Sequence, residues 1–210
     1  GGISPSLEGE EMPVSIEGFR GGDRTKIELP TAQTELVKAL KAAGKKVVFV
    51  NFSGSAMGLT EVEPSCDAIL QAWYPGEEGG NAIASVLYGT YNPAGRLPVT
   101  FYKSTDQLPD FEDYSMKGRT YRYMTEKPLY AFGYGLSYST FKYGKAKIRK
   151  DGDKVYVTVN VKNTSKIDGQ EVVQLYIRRP GDTEGPSHAL RAFRRVSIPA
   201  GKSANIEFEL

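Results

Sequence analysis

The 210-residue chain has one cysteine, one histidine and almost no excess of charge of either sign. Because Cys66 is the single cysteine, an internal disulfide framework is excluded. One cysteine and one histidine also fall short of the four ligands of a structural zinc site. His188 follows far along the chain in a polar loop that contains Pro and Gly, so we predict Cys66 to be a small buried apolar residue and not a nucleophile. We expect no metal and no cofactor.

The charge and hydropathy of the chain argue against two classes of partner. A net charge of +2 gives no reason to expect nucleic acid. No run of about 18 apolar residues is present, so we expect no membrane span. No initiator Met or signal sequence opens the chain, which begins at Gly1 and stops inside the alternating run Asn205–Leu210. We therefore predict a segment of a longer protein, truncated at both ends.

Residues 1–102 alternate in the manner of an α/β sheet. A loop rich in Gly and acidic residues fills residues 1–25. The spacing of apolar residues predicts a helix from Pro30 to Gly44, with Thr31 as its N-cap and Gly44 as its left-handed stop. The run VVFVNF predicts a parallel strand buried on both faces, and CDAILQAWYPG a short strand. EEGGNAIASVLYG predicts a helix, and NPAGRLPVTF a turn that ends in a short strand.

Two further regions follow this α/β part. Residues 103–140 are aromatic, punctuated by Gly and without a period, and we expect them to pack against neighbouring surfaces. From residue 141 the period becomes two, since Val155, Val157, Val159 and Val161 alternate with polar residues. Residues 141–210 therefore predict an all-β sandwich, which is incomplete because a whole one needs about seven strands and about 100 residues.

Several stretches, in this order, resemble family 3 glycoside hydrolases, in particular their β-xylosidase and β-glucosidase members. Each stretch alone is weak evidence for the family. Together, in the same order, they are strong evidence and cover essentially the whole chain. They are GISPSLEGEE, GGDRT followed by ELP, AWYPGEEGG, NPAGRLPVTF, YSMKGRTYRY, PLYAFGYGLSYSTF and EVVQLYIRRP with LRAFRRVSIPAG.

The resemblance implies a fold and places the two catalytic carboxyl groups on different domains. In that family an N-terminal barrel carries the nucleophilic Asp, a following α/β sandwich domain supplies the acid/base Glu, and a fibronectin-III-like domain often follows. The expected fold class is thus α/β plus all-β: a partial α/β sandwich domain, then an immunoglobulin-like β-sandwich of the fibronectin-III type. We expect the barrel of the same enzyme, with its nucleophile, to be the partner of this chain.

The family's acid/base Glu matches Glu8 in the SLEGEE passage. A retaining glycosidase needs such a carboxyl about 5–5.5 Å from a carboxylate nucleophile. The acid must stay protonated near neutral pH, and the charges of Glu10, Glu11 and the nucleophile would favour this. Taken alone, SLEGEE is typical of a solvated acidic loop, and a register slip would move the role to Glu10 or Glu11.

Two pairs of residues have competing interpretations. Asp23 and Arg24 match a similar pair in the family, and we interpret them as hydrogen bonders that fix a loop and not as substrate contacts. Gly79 and Gly80 would let backbone N–H groups approach an anion or a sugar hydroxyl. Tight packing at a helix start is the simpler interpretation of both glycines.

Two aromatic features also have competing interpretations. Trp73 stands on an apolar run, which favours a core position over a sugar platform. The Arg119–Tyr123 cluster interleaves cations with aromatics, as single-strand RNA binders do. With so small a net charge we interpret the cluster as packing of the connector.

The resemblance implies hydrolysis of terminal β-linked xylose or glucose from oligosaccharides through a covalent glycosyl-enzyme. The stretches SLEGEE and DYSMKGRTYRY resemble the β-xylosidase members most, which favours xylose as the sugar. Members that remove N-acetylglucosamine often lack this α/β domain, which disfavours that sugar. The alternative is a non-catalytic module that binds carbohydrate or a protein. We expect this segment to be inactive alone and the enzyme to work in the periplasm or outside the cell, where polysaccharides are degraded.

Overall fold

The computed structural model describes residues 17–20 and 23–210, which fold into two compact units. Within those residues, no helix has the length and apolar character needed to cross a membrane. The first unit contains the described residues up to Ile83, together with Val99–Thr120 and Met124–Ala131. The second contains Ala84–Pro98, Tyr121–Tyr123 and Phe132–Leu210.

A short antiparallel pair opens the described part of the first unit. Strand β1 (Phe19–Arg20) pairs with β2 (Asp23–Arg24), with Phe19 opposite Arg24 and Arg20 opposite Asp23. The sequence predicted only loop here. Two-residue strands are too short to show a period, so the pattern gave no signal.

Helix α1 (Thr31–Ala42) confirms the predicted helix, although its start differs. Gly44 has φ +72°, so the left-handed stop is confirmed. The prediction of Thr31 as the N-cap is wrong, because Pro30 occupies that position and no side chain caps the helix. The hydroxyl of Thr31 instead donates to the Glu17 carboxylate at 3.1 Å.

The parallel pair that follows confirms an α/β arrangement. Strand β3 (Val48–Asn51) pairs in parallel with β4 (Ala68–Gln71), in register from Val48↔Ala68 to Asn51↔Gln71. The prediction that β3 is buried on both faces is wrong at Val48, which is 47% exposed. Asn51 is buried at the end of the strand, where its amide donates to Gln71 Oε1 at 2.6 Å.

Asp67 joins the starts of both strands. Its carboxylate accepts the Val47 backbone N–H at 2.9 Å and lies 3.0 Å from Lys46 Nζ and 3.2 Å from Lys41 Nζ. The Val47 hydrogen bond, followed by those from Lys46 and Lys41, lowers the pKa of Asp67 well below its ordinary value.

Asp67→Asn is therefore expected to lower the free energy of unfolding in a pH-dependent way. A depressed pKa stabilises the fold above the unfolded value, about 3.9, and this stabilisation is lost as the pH falls through the folded pKa. Urea unfolding of the parent chain and the variant should differ most between pH 5 and 7. Their difference should shrink below about pH 4. A difference that is the same at every pH would contradict this role.

Two predicted elements of the α/β part remain, a helix and a short strand. The helix is confirmed and the strand is wrong. Helix α2 (Gly79–Leu87) confirms the helix that opens on two glycines. The strand predicted at the end of NPAGRLPVTF is wrong, since Phe101 makes only an isolated antiparallel bridge with Tyr130. A four-residue helix, α3 (Thr120–Tyr123), interrupts the aromatic connector.

The second unit is a β-sandwich of two antiparallel sheets, which confirms the predicted all-β part. One sheet has the order β10-β7-β5, and β6 also pairs with β7; the other consists of β8 and β9. The strands are β5 (Phe141–Tyr143), β6 (Lys147–Asp151), β7 (Lys154–Asn163), β8 (Gly169–Ile177), β9 (Ala189–Ile198) and β10 (Ser203–Glu209).

Alternating residues from both sheets form the core of the sandwich. Val161 of β7, Val173 of β8 and Ile198 of β9 are at most 2% exposed and pack together with Ile206 and Phe208 of β10. The period-two valines of β7 thus predicted the buried face correctly. The domain boundaries at residues 102 and 140 stay a prediction.

Candidate active site

The three carboxylic acids predicted for proton transfer, Glu8, Glu10 and Glu11, lie outside the described residues. Glu17 is the first described residue after this acidic stretch. Glu17 Oε1 lies 3.4 Å from Lys26 Nζ, and the other carboxylate oxygen accepts the Thr31 hydroxyl. These contacts are exposed, so each contributes at most about 1 kcal/mol.

The β1–β2 pair is stabilised by the Arg24 side chain. Its guanidinium carbon lies 4.9 Å from the centroid of the Phe19 ring, which is 9% exposed. A cation over an aromatic face is attracted by the ring quadrupole. The Thr25 N–H also donates to the Gly18 carbonyl at 2.8 Å. Arg24 thus stabilises the chain locally, while Asp23 beside it is exposed.

Glu28 fixes the next part of the chain to a distant segment of the same unit. Its carboxylate accepts the Thr105 N–H and the Thr105 hydroxyl, each at 2.6 Å, and that hydroxyl oxygen accepts the Ile27 N–H at 3.0 Å. Burial raises the pKa of Glu28, but the Thr105 hydrogen bonds and the Lys26 charge outweigh it, so the net pKa is lowered. Glu28 is therefore an ionised structural anchor and not a proton donor.

These anchored segments line a cleft of about 630 Å³ in the first unit. This volume lies within the range of about 300–1,000 Å³ that is typical of small-ligand sites. One wall is the segment that follows β2, and the other is the connector after Thr105. The lining residues are Arg24, Thr25, Lys26, Ile27, Thr105, Leu108, Pro109, Asp110, Phe111, Asp113, Tyr114, Ser115, Met116 and Arg119.

Arg119 holds the connector wall in one conformation. Its guanidinium donates to the backbone carbonyls of Ser115, Asp110 and Asp113. On the same loop Phe111 is 91% exposed and Tyr114 is 89% exposed. The loop therefore has a backbone held by Arg119 and two exposed aromatic side chains. Carboxylates and basic groups line the same cleft. Such a mixture of apolar faces and hydrogen-bonding groups suits a sugar, which has both an apolar face and hydroxyls.

Residues singled out for other chemistry have structural roles. Cys66 is half-buried, so the prediction of a buried position is only partly met. Its partial burial and the Asp67 charge raise the pKa of the Cys66 thiol, so the thiol stays protonated near neutral pH. Trp73 is half-buried, and its ring meets Phe101 edge-on with a centroid distance of 6.2 Å. Its φ of +55° is a strained value for a bulky residue, and no local sequence pattern marks it.

The two glycines at the start of α2 differ in their surroundings. A Cβ on Gly79 would lie 2.5 Å from Pro75 Cγ, whereas one on Gly80 would meet nothing within 4 Å. Gly79→Ala is therefore expected to lower the free energy of unfolding by about 1–3 kcal/mol, as overpacking does. Gly80→Ala should be neutral or stabilise the helix by up to about 1 kcal/mol. Urea unfolding of both variants measures this.

The Gly79 and Gly80 variants also test the anion-binding interpretation. If the backbone at Gly79 held a ligand, Gly79→Ala would weaken substrate binding with no loss of stability. That outcome would contradict the packing role, as would equal destabilisation by both variants.

The comparisons with known proteins agree with this architecture. Residues 2–138 match the family described as the glycosyl hydrolase family 3 C-terminal domain, and residues 171–210 match the fibronectin type III-like domain. The first match covers well over half of the chain. The chain belongs to glycoside hydrolase family 3.

Relatives along the whole chain are named β-xylosidases and β-glucosidases. A xylan 1,4-beta-xylosidase from Xylanibacter ruminicola is 60% identical over 212 residues, which cover 100% of this chain and 24% of the relative. A periplasmic beta-glucosidase from Salmonella typhimurium is 38% identical over 98% of this chain and 29% of its own length. This chain thus spans about a quarter of the length of these relatives.

A solved structure is also similar in fold. A β-glucosidase from Erythrobacter marinus superposes with a TM-score of 0.79 at 41% identity, covering 92% of this chain and 27% of that chain. This chain therefore shares its fold, over 92% of its length, with a solved β-glucosidase.

Proposed function

We propose that this chain is the C-terminal part of a retaining β-glycosidase that removes terminal β-linked xylose or glucose from oligosaccharides. The observation that carries the proposal is the 60% identity, along the whole chain, to a relative named as a xylan 1,4-beta-xylosidase. This identity also favours xylose as the sugar. An exported enzyme fits such a substrate, and one relative is named as periplasmic.

Glu8 is the acid/base group in this proposal. It protonates the leaving oxygen in the first step, and in the second step the same carboxylate takes a proton from the attacking water. The nucleophile is an Asp of an N-terminal barrel of the same enzyme. No metal or cofactor takes part. The support for Glu8 is the match of the SLEGEE passage to the family's acid/base position.

The cleft of the first unit is our candidate for the subsite that receives the leaving group. Arg24–Ile27 in its wall begin 16 residues after Glu8. Phe111 and Tyr114 offer faces on which a sugar ring stacks. The charged side chains of the same walls offer hydrogen bonds to hydroxyls.

The 210-residue chain alone is expected to have no glycosidase activity, because the covalent intermediate needs a second carboxylate as nucleophile. Nitrophenyl β-xyloside and β-glucoside report turnover, with the enzyme that also contains the barrel as the positive control. Turnover by the chain alone, well above buffer, would mean that the nucleophile lies within these residues. No turnover with the barrel present would favour the non-catalytic binding module.

A further inference from the structure

A second cavity, of about 150 Å³, lies in the β-sandwich unit and is rich in arginine. Three arginines and one aspartate line it, so its walls carry three positive charges and one negative charge. The complete lining is Arg122, Ile177, Arg179, Asp182, Pro186, Ala189 and Arg191. We call this the arginine pocket.

The arginine pocket is held in shape by the elements around it. Arg179 follows the end of β8 and Arg191 lies near the start of β9, where Ile177 pairs with Ala189. The loop between these strands is closed by Asp182, whose Oδ1 accepts the Gly185 N–H at 2.7 Å. One carboxylate oxygen of the pocket is thus already engaged by the backbone.

The third arginine is positioned by a cluster of aromatic rings. Tyr121, next to Arg122, stacks on Phe132 at 4.3 Å and meets Tyr176 and His188 edge-on at 5.9 and 5.3 Å. The Tyr121 hydroxyl accepts the Leu190 N–H at 3.2 Å. The Arg122 carbonyl accepts the Ser187 N–H at 2.7 Å. The segment that carries Arg122 is therefore tied to the loop and to β9.

The lining of the arginine pocket has more positive than negative side chains. Within residues 17–20 and 23–210, Arg179 and Arg191 form no ion pair. Guanidinium groups are planar, always charged and matched to two oxygens of a carboxylate. All three arginines are exposed, so an anion that enters the pocket gains charge-assisted contacts that salt screens.

We propose that the arginine pocket binds the carboxylate of an acidic saccharide. A cavity of about 150 Å³ admits a carboxylate, whereas sites that enclose a whole small ligand measure about 300–1,000 Å³. The sugar ring then lies at the mouth, where Ile177 and Pro186 offer apolar surface. The choice of a saccharide rests on the proposed function, whereas the preference for an oxyanion rests on the pocket alone.

The test measures binding directly, without any hydrolysis step. Methyl β-glucuronide and methyl β-xyloside differ only in the carboxylate on the ring, so they form a matched pair. Titration of the chain in low salt, followed by NMR shifts, is expected to show millimolar binding of the glucuronide and none of the xyloside. The binding should weaken as NaCl is added. Sodium sulfate serves as the probe for a free inorganic oxyanion.

Matched variants locate the binding. Arg179→Gln with Arg191→Gln is expected to weaken glucuronide binding by on the order of 10-fold or more, because two charge-assisted bonds are lost. Arg178→Gln removes the same charge from an exposed neighbour that does not line the pocket and should change little. Equal loss in both variants, equal binding of the xyloside, or sulfate binding as tight as the glucuronide would overturn the proposal. Inactivity of the enzyme would not affect this result.

Discussion

Replacing Glu8 with Ala in the enzyme that contains the barrel is expected to slow hydrolysis of xylobiose or cellobiose by on the order of 10²–10⁴-fold. A sugar hydroxyl is a poor leaving group and needs the proton that Glu8 supplies. A nitrophenol leaves without help, so the first step on an aryl glycoside should be far less affected. The second step then lacks its base, and the glycosyl-enzyme should accumulate.

Azide distinguishes loss of the acid/base group from general damage. As a small anion that needs no base, it should restore turnover of the Glu8→Ala variant on aryl glycosides and yield the β-glycosyl azide. Glu10→Ala and Glu11→Ala are the matched controls, because they remove the same group from the same loop. Rescue in one of these controls, with near-normal hydrolysis by Glu8→Ala, would move the role to the rescued residue. No rescue in any of the three would place the acid outside this loop.

The parts of the fold that could be predicted are those whose cause lies in adjacent residues. The alternation of valines in β7 and the left-handed glycine after α1 are local features, and both were predicted correctly. The cap at Thr31 failed because its hydroxyl bonds Glu17, which lies 14 residues earlier. The strand predicted at Phe101 failed because a strand needs a paired neighbour, and among the described residues Phe101 forms a single bridge, with Tyr130.

The candidate site could be predicted from the sequence less well than the fold. The role of Glu8 follows from a resemblance, since an acidic loop alone is typical of a solvated surface. The cleft joins segments that are 77 residues apart at Glu28 and Thr105, and no local pattern marks that contact. Arg119 braces its loop through backbone carbonyls, which carry no signal in the sequence. The prediction that the aromatic stretch packs against neighbouring surfaces is wrong at Phe111 and Tyr114, whose rings are 91% and 89% exposed.

The largest effect on stability is expected at an ion pair within the sandwich unit. Arg96 Nη2 donates to both carboxylate oxygens of Glu171, at 3.0 and 3.1 Å, and the two side chains are only 13% and 9% exposed. One sequence signal was available, because Glu171 alternates with Val173 on the buried face of β8. A glutamate at a core position requires a partner, but the sequence does not say that Arg96 supplies it.

Tyr143 and the backbone of β8 also interact with the Glu171 carboxylate. Burial, with the Glu171 charge next, raises the pKa of the neighbouring Tyr143 to about 12. Val172 N–H donates to Glu171 Oε1 at 2.8 Å, so the carboxylate is held on the strand by the backbone as well. Without Arg96 this carboxylate would remain in place, buried and without its cation. The cost of that state is much larger than the value of an exposed ion pair.

Arg96→Met is therefore expected to lower the free energy of unfolding by about 3–5 kcal/mol, as measured by urea unfolding at pH 7. The double variant Arg96→Met with Glu171→Met removes both charges at similar volume and should recover most of that loss. The exposed pair of Lys154 and Glu209 in the same unit is the matched control. Lys154→Met should cost at most about 1 kcal/mol. If the double variant is as unstable as Arg96→Met alone, the loss comes from packing of the arginine stem and not from the unpaired carboxylate.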